Sequence, residues 1–406
     1  MAMAVFMRLS ADSQAAAMLL SIAVRMQHAI GLGIGANGRG RFYTAEEEEG
    51  EKDGQRLLWA TVILDADMSA GSGLPPARAD LDNITLNPPR FTGSHYKDVI
   101  FALRAELARI QARVGAHLVD PNEAALAALG LELDSWALQT PFNGMLDSKD
   151  LPGPAGCSGD ADNVPTLMLK LAYFNCRSMI CWAFARLVAT EAAQAGEPID
   201  TPDDRAAGHR RTARQVSRAT LRSLPQFPRR SFTSLWTALR YPVSASVALL
   251  AILTGDPANP EAKDDLPLLA SFVSFLQSMV VHEGGAGCDL QKMLDGISKM
   301  EKVARDAVAA ASLAPTMPVD PSLWPLAVAS GRTGKAIGQL LACKAYHPMY
   351  VAQSFMGNTV TLDNDAARQL AEIVGIPWGE SGYGPFVPDS LMPATYGFRF
   401  EAGSPA

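Results

Sequence analysis

The stretch that decides the fold runs from Pro165 to Ala195 and reads PTLMLKLAYFNCRSMICWAFARLVATEAAQA. Wound as a helix, it places leucine, methionine, alanine and aromatic residues on almost every side, and it contains no glycine. A helix that is apolar nearly all round lies in the middle of a core. The segment therefore predicts a long central helix against which the rest of the chain packs.

Segments on both sides of this helix repeat apolar residues every three or four positions, as amphipathic helices do. The predicted helices are 13–31, 55–69, 94–118, 122–138, a basic helix after 204, 232–253, 260–281, 290–313, 322–344 and 363–374. The stripe predicted for the first of them is formed by Met18, Leu19, Ile22, Ala23, Met26 and Ile30. β-Branched residues are sparse and no internal repeat occurs, so we predict an all-α fold.

The helices are expected to form one large helical domain with long surface loops. Its predicted limits are residues 1–376, followed by an irregular Gly- and Pro-rich tail at 377–406. Residues 142–163 and 196–204 are rich in Gly, Asp, Pro and Ser or Thr, which predicts two loops. The proline pairs Pro75-Pro76 and Pro88-Pro89 bracket a linker that is expected to be extended and strapped to its surroundings.

Composition excludes several classes of protein. The chain has 406 residues, of which 48% are hydrophobic, and this is enough to build a core. The net charge of −7 argues against a nucleic-acid binder as a whole. Five scattered cysteines without a CxxC pair predict neither a disulfide framework nor a zinc site. No apolar run of about 18 residues and no secretory signal are evident, so an intracellular protein without a membrane span is expected.

The motifs that resemble catalytic or cofactor sites each lack a required part. Gly33–Gly38 fits GxGxxG, but a predicted helix rather than a strand precedes it. In GRTGKA at 331–336, the lysine is followed by alanine, where a phosphate loop needs Ser or Thr. His282-Glu283 lacks the second histidine of a metalloprotease, and the six histidines are isolated in sequence. We therefore predict a protein that is not an enzyme, without catalytic, cofactor-binding or metal-binding residues.

Two carboxylates in LDADMS at 64–69 are candidate metal ligands. Asp65 and Asp67 lie two positions apart on a predicted helix. Side chains at this spacing point in different directions, because neighbours on a helix surface are three or four residues apart. The pair is therefore not expected to chelate a metal jointly.

A basic segment at 205–230 contains eight arginines and no acidic residue. Arg210, Arg214, Arg218 and Arg222 follow a four-residue spacing and are predicted to line one face of a helix. As a functional site, this face would bind an anionic partner such as DNA phosphates, an acidic protein segment or an acidic effector. The alternative is a solvated helix that balances acidic surface elsewhere, because most charge runs simply face solvent.

Three blocks in the chain carry a resemblance to a known family. The first block is LLSIAVRMQHAIGLG at 19–33. The second is QRLLWATVILD at 55–65, followed by MS at 68–69, GLPP at 73–76, DLDNI at 80–84 and LNP at 86–88. The third consists of YP at 241–242, DP at 256–257, NP at 259–260 and DLPLL at 265–269. In order and spacing they resemble the regulatory middle homology region of fungal binuclear zinc-cluster transcription factors. Gly33 and Leu74 stand where the family has histidine and arginine, and the six-cysteine cluster is missing from this chain.

The resemblance implies a regulatory, effector-sensing domain that controls RNA polymerase II transcription in the nucleus. Partners would be a small-molecule effector and a co-regulator protein, and a homodimer is compatible with this role. Zinc and DNA would be bound only through an N-terminal module that this chain lacks, so no cofactor is expected here. Two alternatives stay open: a stand-alone helical corepressor or interaction module, and a helical metabolic enzyme.

Overall fold

The computed structural model describes residues 13–30, 32, 45–72, 76–78, 96–117, 121–140, 160–195, 204–227, 232–282 and 288–313. These residues form nine α-helices and one 3-10 turn, with no β-strand among them. The helices are α1 (Ser13–Ala29), α2 (Ala45–Ser72), α3 (Tyr96–Ala116), α4 (Glu123–Gln139), α5 (Asp160–Ala195), α6 (Asp204–Arg222), α7 (Phe232–Gly255), α8 (Ala262–His282) and α9 (Cys288–Leu313). The predicted all-α fold is confirmed.

Two predicted loops are corrected at their ends. Residues 160–163 belong to α5, and Asp204 is the first residue of α6. Because α5 starts at Asp160, Pro165 lies inside the helix, where it has no N–H to donate to the carbonyl of residue 161. Residues 142–159 and 196–203, the helices predicted at 322–344 and 363–374, and the tail at 377–406 lie outside the described residues.

Helix α5 occupies the centre of the fold, as its composition predicts. It packs against α3, α4, α6 and α7. Buried side chains succeed one another along its length and face all of these neighbours, among them Leu167, Leu171, Phe174 and Met179. Each such aliphatic or aromatic side chain contributes about 1.5–3 kcal/mol by leaving water, so α5 supplies a large part of the core.

Helix α7 is a second core helix and packs against α5, α6, α8 and α9. Its segment Thr237–Gly255 is long and apolar enough to cross a membrane by length and composition, although no membrane span was expected from the sequence. In the structure, 94% of this segment is buried inside the protein. Its apolar character is therefore used by packing against the neighbouring helices.

Helices α1, α2 and α3 form the N-terminal part of the fold. The α2–α3 interface sets the large side chains Leu58, Trp59 and Val62 against Ala105, Ala108 and Ala112. The small alanine side chains let the two helices approach closely, so that Trp59 is fully buried. α1 packs on the opposite side of α2, where Leu20 contacts Leu64.

The predicted apolar stripe of α1 is wrong in its orientation. The buried face is formed by Ala16, Leu20 and Val24, with Gln27 at its end. Four of the six residues predicted to form the stripe are exposed instead, namely Met18, Ile22, Met26 and Ile30. Both sides of this helix are apolar, and α2 covers only the side that carries Leu20.

Candidate functional site

Charged side chains are buried where α2, α3 and α7 meet. We call this group the Asp67 junction: Asp67 from α2, Arg104 and Gln111 from α3, and Arg240 and Tyr241 from α7. The side chains of Asp67, Arg104 and Arg240 are only 9%, 11% and 5% exposed. Buried charges are costly unless they are paired and hydrogen-bonded, so the position of each partner is strongly constrained.

Arg240 connects the core to α2 across a separation of 173 residues. Its Nη2 lies 3.0 Å from Oδ1 of Asp67, and its Nη1 donates to the main-chain oxygen of Asp67 at 3.3 Å. Nη2 also donates to the hydroxyl of Tyr241 at 2.7 Å. One guanidinium therefore holds both the side chain and the backbone of α2 against α7.

Arg104 approaches the same carboxylate from α3. Its Nη2 donates to Oδ1 of Asp67 and, at 3.3 Å, to Oε1 of Gln111. Gln111 in turn donates from Nε2 to the main-chain oxygen of Ala66 at 3.1 Å. The three helices are thus joined by side-chain bonds to two consecutive residues of α2.

The junction has more positive than negative charge among the described residues, since two guanidinium groups share one carboxylate. Burial by itself lowers the pKa of Arg240, but Asp67, followed by Tyr241, outweighs it and holds that pKa above its ordinary value. Nε of Arg240 and Nη1 of Arg104 are buried without a hydrogen bond to the described part of the chain. Asp67 is therefore the group on which both arginines depend.

A second polar cluster, the strap clamp, lies where α1, α2 and residues 76–78 meet. Both carboxylate oxygens of Asp65 accept backbone hydrogen bonds, one from Ala77 and one from Arg78, each at 2.9 Å. The Arg78 side chain is buried and donates from Nη2 to Oε1 of Gln27 at 3.0 Å. Gln27 also donates to Oγ1 of Thr61 at 2.7 Å. For residues 76–78, the predicted strapping of the linker is confirmed.

The pKa of Asp65 is raised, because burial disfavours its charged form. The two backbone N–H groups and the Arg78 charge act in the opposite direction without cancelling this effect. Residues 76–78, which we call the strap, therefore hold this carboxylate in place, although its burial costs desolvation free energy.

The two clusters make α2 the common element of the N-terminal part. Asp65 faces the strap clamp and Asp67 faces the Asp67 junction, so the two carboxylates bind different partners. The prediction that they point in different directions is confirmed, and the absence of a shared metal stays a prediction. A displacement of α2 would strain both clusters.

The predicted arginine face of α6 has two kinds of members. Arg214 and Arg218 pair with carboxylates of α8 and the turn before it: Nε of Arg214 is 3.2 Å from Oδ2 of Asp265, and Nη1 of Arg218 is 3.0 Å from Oε2 of Glu261. The Arg214 side chain is buried by this contact. Arg210 and Arg222, the outer members, are exposed.

Arg214 and Arg218 thus help to dock α6 on α8, and of the four members of the face only Arg210 and Arg222 are classed as exposed. Burial raises the pKa of Asp265, while its bond to Arg218 opposes this rise. As a surface for an anionic partner, the set Arg210, Arg214, Arg218 and Arg222 stays a prediction. A partner that approached it would reach Arg210 and Arg222 directly.

The other residues considered for chemistry are scattered. Within the described ranges, no three His, Cys, Asp or Glu side chains are grouped so that they could hold a metal ion. His209 stacks on Phe184 with ring centroids 4.0 Å apart, and burial lowers its pKa. Cys176 and Cys181 are buried thiols whose pKa values burial raises to about 12.

The glycine-rich motifs lie outside the described residues, both at 33–38 and at 331–335. The side chain of His282 and residue Glu283 also lie outside them. The sequence-based rejection of these motifs therefore stays a prediction.

Sequence reasoning missed the arginines that pair with Asp67 or bind the strap clamp. Arg240 carried the clearest signal, because it is the only charged residue of α7, in the run SLWTALRYPVSASVALL at 234–250. A lone charge on a core helix needs a buried partner. Arg104 and Arg78 gave no comparable signal, since they lie in segments with several charges.

Two curated proteins resemble the chain. The ABC-transporter-regulating transcription factor of Aspergillus fumigatus is 24% identical over 331 residues, and the protein of the same name from Aspergillus oryzae is 23% identical over 331 residues. Each alignment covers 75% of this chain and 35% of the relative, so the chain spans about a third of the length of these relatives. No family model matches the chain, and no solved structure matches it.

Proposed function

We propose that this chain is the regulatory, effector-sensing part of a fungal transcription factor that acts on RNA polymerase II transcription in the nucleus. The observation that carries the proposal is the similarity, over three quarters of the chain, to two fungal proteins named as transcription factors that regulate ABC transporters. Neither relative is named as an enzyme. The control of transporter genes is a natural first target for tests of this chain.

The Asp67 junction is the proposed transmission element of this function. A regulator changes its output when an effector or a partner binds two conformations with different affinity. α2 is suited to this task, because it bonds to α1 and the strap through Asp65 and to α3 and α7 through Asp67. Binding that shifts α1 or the strap would therefore alter the contacts of the core helix.

The remaining parts of the proposal concern partners. We propose that a small-molecule effector and a co-regulator protein bind this chain, that DNA and zinc are bound only by a separate N-terminal module, and that no cofactor is held here. The exposed ends of the arginine face, Arg210 and Arg222, are the proposed contact for an acidic co-regulator segment. Mass spectrometry of small molecules that co-purify with the chain would identify an effector.

The test joins the chain to a heterologous DNA-binding module in a fungal reporter strain. Wild type is compared with Asp67→Asn and with Asp306→Asn, a matched control that removes a carboxylate from an exposed position of α9. We expect the tethered wild type to change reporter transcription several-fold, Asp67→Asn to shift that output at equal protein level, and the control to match wild type. Equal output from all fusions and from the module alone would contradict the proposal.

A further inference from the structure

The exposed face of α1 carries a row of large apolar side chains. Met18, Ile22 and Met26, with Ile30 directly after the helix, are four positions apart and have exposed fractions of 63%, 52%, 64% and 70%. In the described part of the chain, the other large exposed hydrophobic residues lie on α2 and α4 and form no such row. A contiguous exposed apolar patch marks an interaction site, whereas single exposed hydrophobic residues do not.

The row is nearly symmetric about its centre. Its four residues are evenly spaced, so its centre lies midway between Ile22 and Met26, with Met18 and Ile30 at its ends. In a two-fold symmetric contact the same patch is used by both copies and must be complementary to itself. If two α1 helices cross antiparallel at this centre, then Ile22 meets Met26 of the second copy and Met18 meets Ile30.

Charge also favours an apolar occupant. Arg25 is the only Asp, Glu, Lys or Arg of α1, so the helix offers little to a strongly charged partner. A second α1 meets the row with an apolar surface of the same length.

The area is sufficient for such a contact. The four side chains expose on the order of 500 Å², and two copies facing each other would bury about 1,000 Å², which is the lower size of a specific interface. A dimer of this size is expected to be reversible.

We propose that α1 is a homodimerisation helix whose exposed apolar row, from Met18 to Ile30, packs antiparallel against the same row of a second copy. The opposite face of α1, with Leu20 and Val24, packs inside the protein. The helix thus has one apolar side for α2 and one for the second copy. Dimerisation through α1 would couple the oligomeric state to α2, which α1 contacts directly.

Sedimentation velocity of the full chain at about 1–100 µM tests the proposal, because an interface of this size corresponds to a weak, concentration-dependent dimer. Wild type is expected to shift from monomer to dimer across this range. Ile22→Lys, which places a positive charge against Met26 of the second copy, is expected to raise the dissociation constant at least tenfold. Leu131→Lys, at an exposed leucine of α4, is the matched control and is expected to leave the dissociation constant unchanged.

A pair of double variants tests the antiparallel register. M18K/I30E places opposite charges together when position 18 meets position 30 of the second copy, whereas M18K/I30K places like charges together in the same register. We expect M18K/I30E to dimerise at least tenfold more tightly than M18K/I30K. Equal dissociation constants for the two would overturn the antiparallel pairing.

Other outcomes overturn the dimer itself. The dimer is contradicted if wild type remains monomeric up to about 100 µM, because an interface of this size is expected to associate below that concentration. A monomeric wild type with a lower melting temperature in Ile22→Lys would show that another segment of the same chain covers the row. Unchanged dimerisation in Ile22→Lys, with helicity preserved by circular dichroism, would place the dimer contact elsewhere.

Discussion

Replacing Asp67 by asparagine removes one negative charge from the Asp67 junction while preserving the size of the side chain. Arg104 and Arg240 would then both lie buried without a carboxylate. Removal of one partner from a buried ion pair costs roughly 3–5 kcal/mol, because the other charge is left without compensation. We expect Asp67→Asn to reach this range, since two guanidinium groups depend on the one carboxylate.

Removal of Arg240 should cost much less. In Arg240→Met, Asp67 keeps Arg104 as its counter-ion, and no buried charge is abandoned. The variant loses the bonds of Arg240 to the main-chain oxygen of Asp67 and to Tyr241. Bonds made by a charged donor contribute about 1.5–3 kcal/mol each, but removal of the buried guanidinium also removes its desolvation cost. A net loss of about 1–2 kcal/mol is therefore expected.

Thermal unfolding of the full chain compares the two variants. For a chain of this length, 3–5 kcal/mol corresponds to a fall in Tm of about 4–6 °C, and 1–2 kcal/mol to about 1–2 °C, when unfolding is one transition. Asp306→Asn serves as the surface control and should leave Tm unchanged. A smaller fall in Asp67→Asn than in Arg240→Met would refute the assignment of Asp67 as the shared counter-ion.

Three further predictions concern the strap and the buried titratable groups. In Asp65→Asn, one amide oxygen replaces two carboxylate oxygens, so the strap loses a hydrogen bond to a charged group, worth about 1.5–3 kcal/mol. Trypsin should therefore cleave after Arg78 at least tenfold faster than in wild type. Because burial raises the pKa values of Cys176 and Cys181 to about 12, iodoacetamide at pH 8 should leave both thiols unmodified in the native chain, as read by peptide mass spectrometry. Burial lowers the pKa of His209, so its contribution to stability is complete above the unfolded pKa of about 6.5 and is lost as the pH falls below that value. The fall in Tm between pH 7 and pH 5 should therefore be smaller in His209→Gln than in wild type. An equal fall in the two proteins would contradict this.

Most of the described fold could be predicted because the helices are long and their apolar residues recur with a helical period. α5 shows the strength of this signal: its composition alone places it in the centre of the core. α1 shows its limit. Met18 and Leu20 are both apolar but lie on opposite sides of the helix, and each side carries further apolar residues. Periodicity therefore cannot tell the inward face from the outward one. Only the position of α2 decides that Leu20 is buried.

The site was less accessible to prediction, because it is formed by contacts between distant residues. The spacing of Asp65 and Asp67 correctly predicted that they face different surroundings. It could not identify their partners, since Arg240 follows Asp67 by 173 residues. The four-residue spacing on α6 likewise identified a helix face without showing that Arg214 is buried against α8.

Hydrogen exchange of the full chain, read by mass spectrometry, tests most directly whether Asp67 fastens the N-terminal helices to the core. In Asp67→Asn, we expect α2 and residues 76–78 to exchange faster, together with the adjoining part of α7, while α8 and α9 keep their protection. Protection that is unchanged in α2, or lost equally in α8 and α9, would contradict the role of α2 as the element through which the strap and the core are coupled.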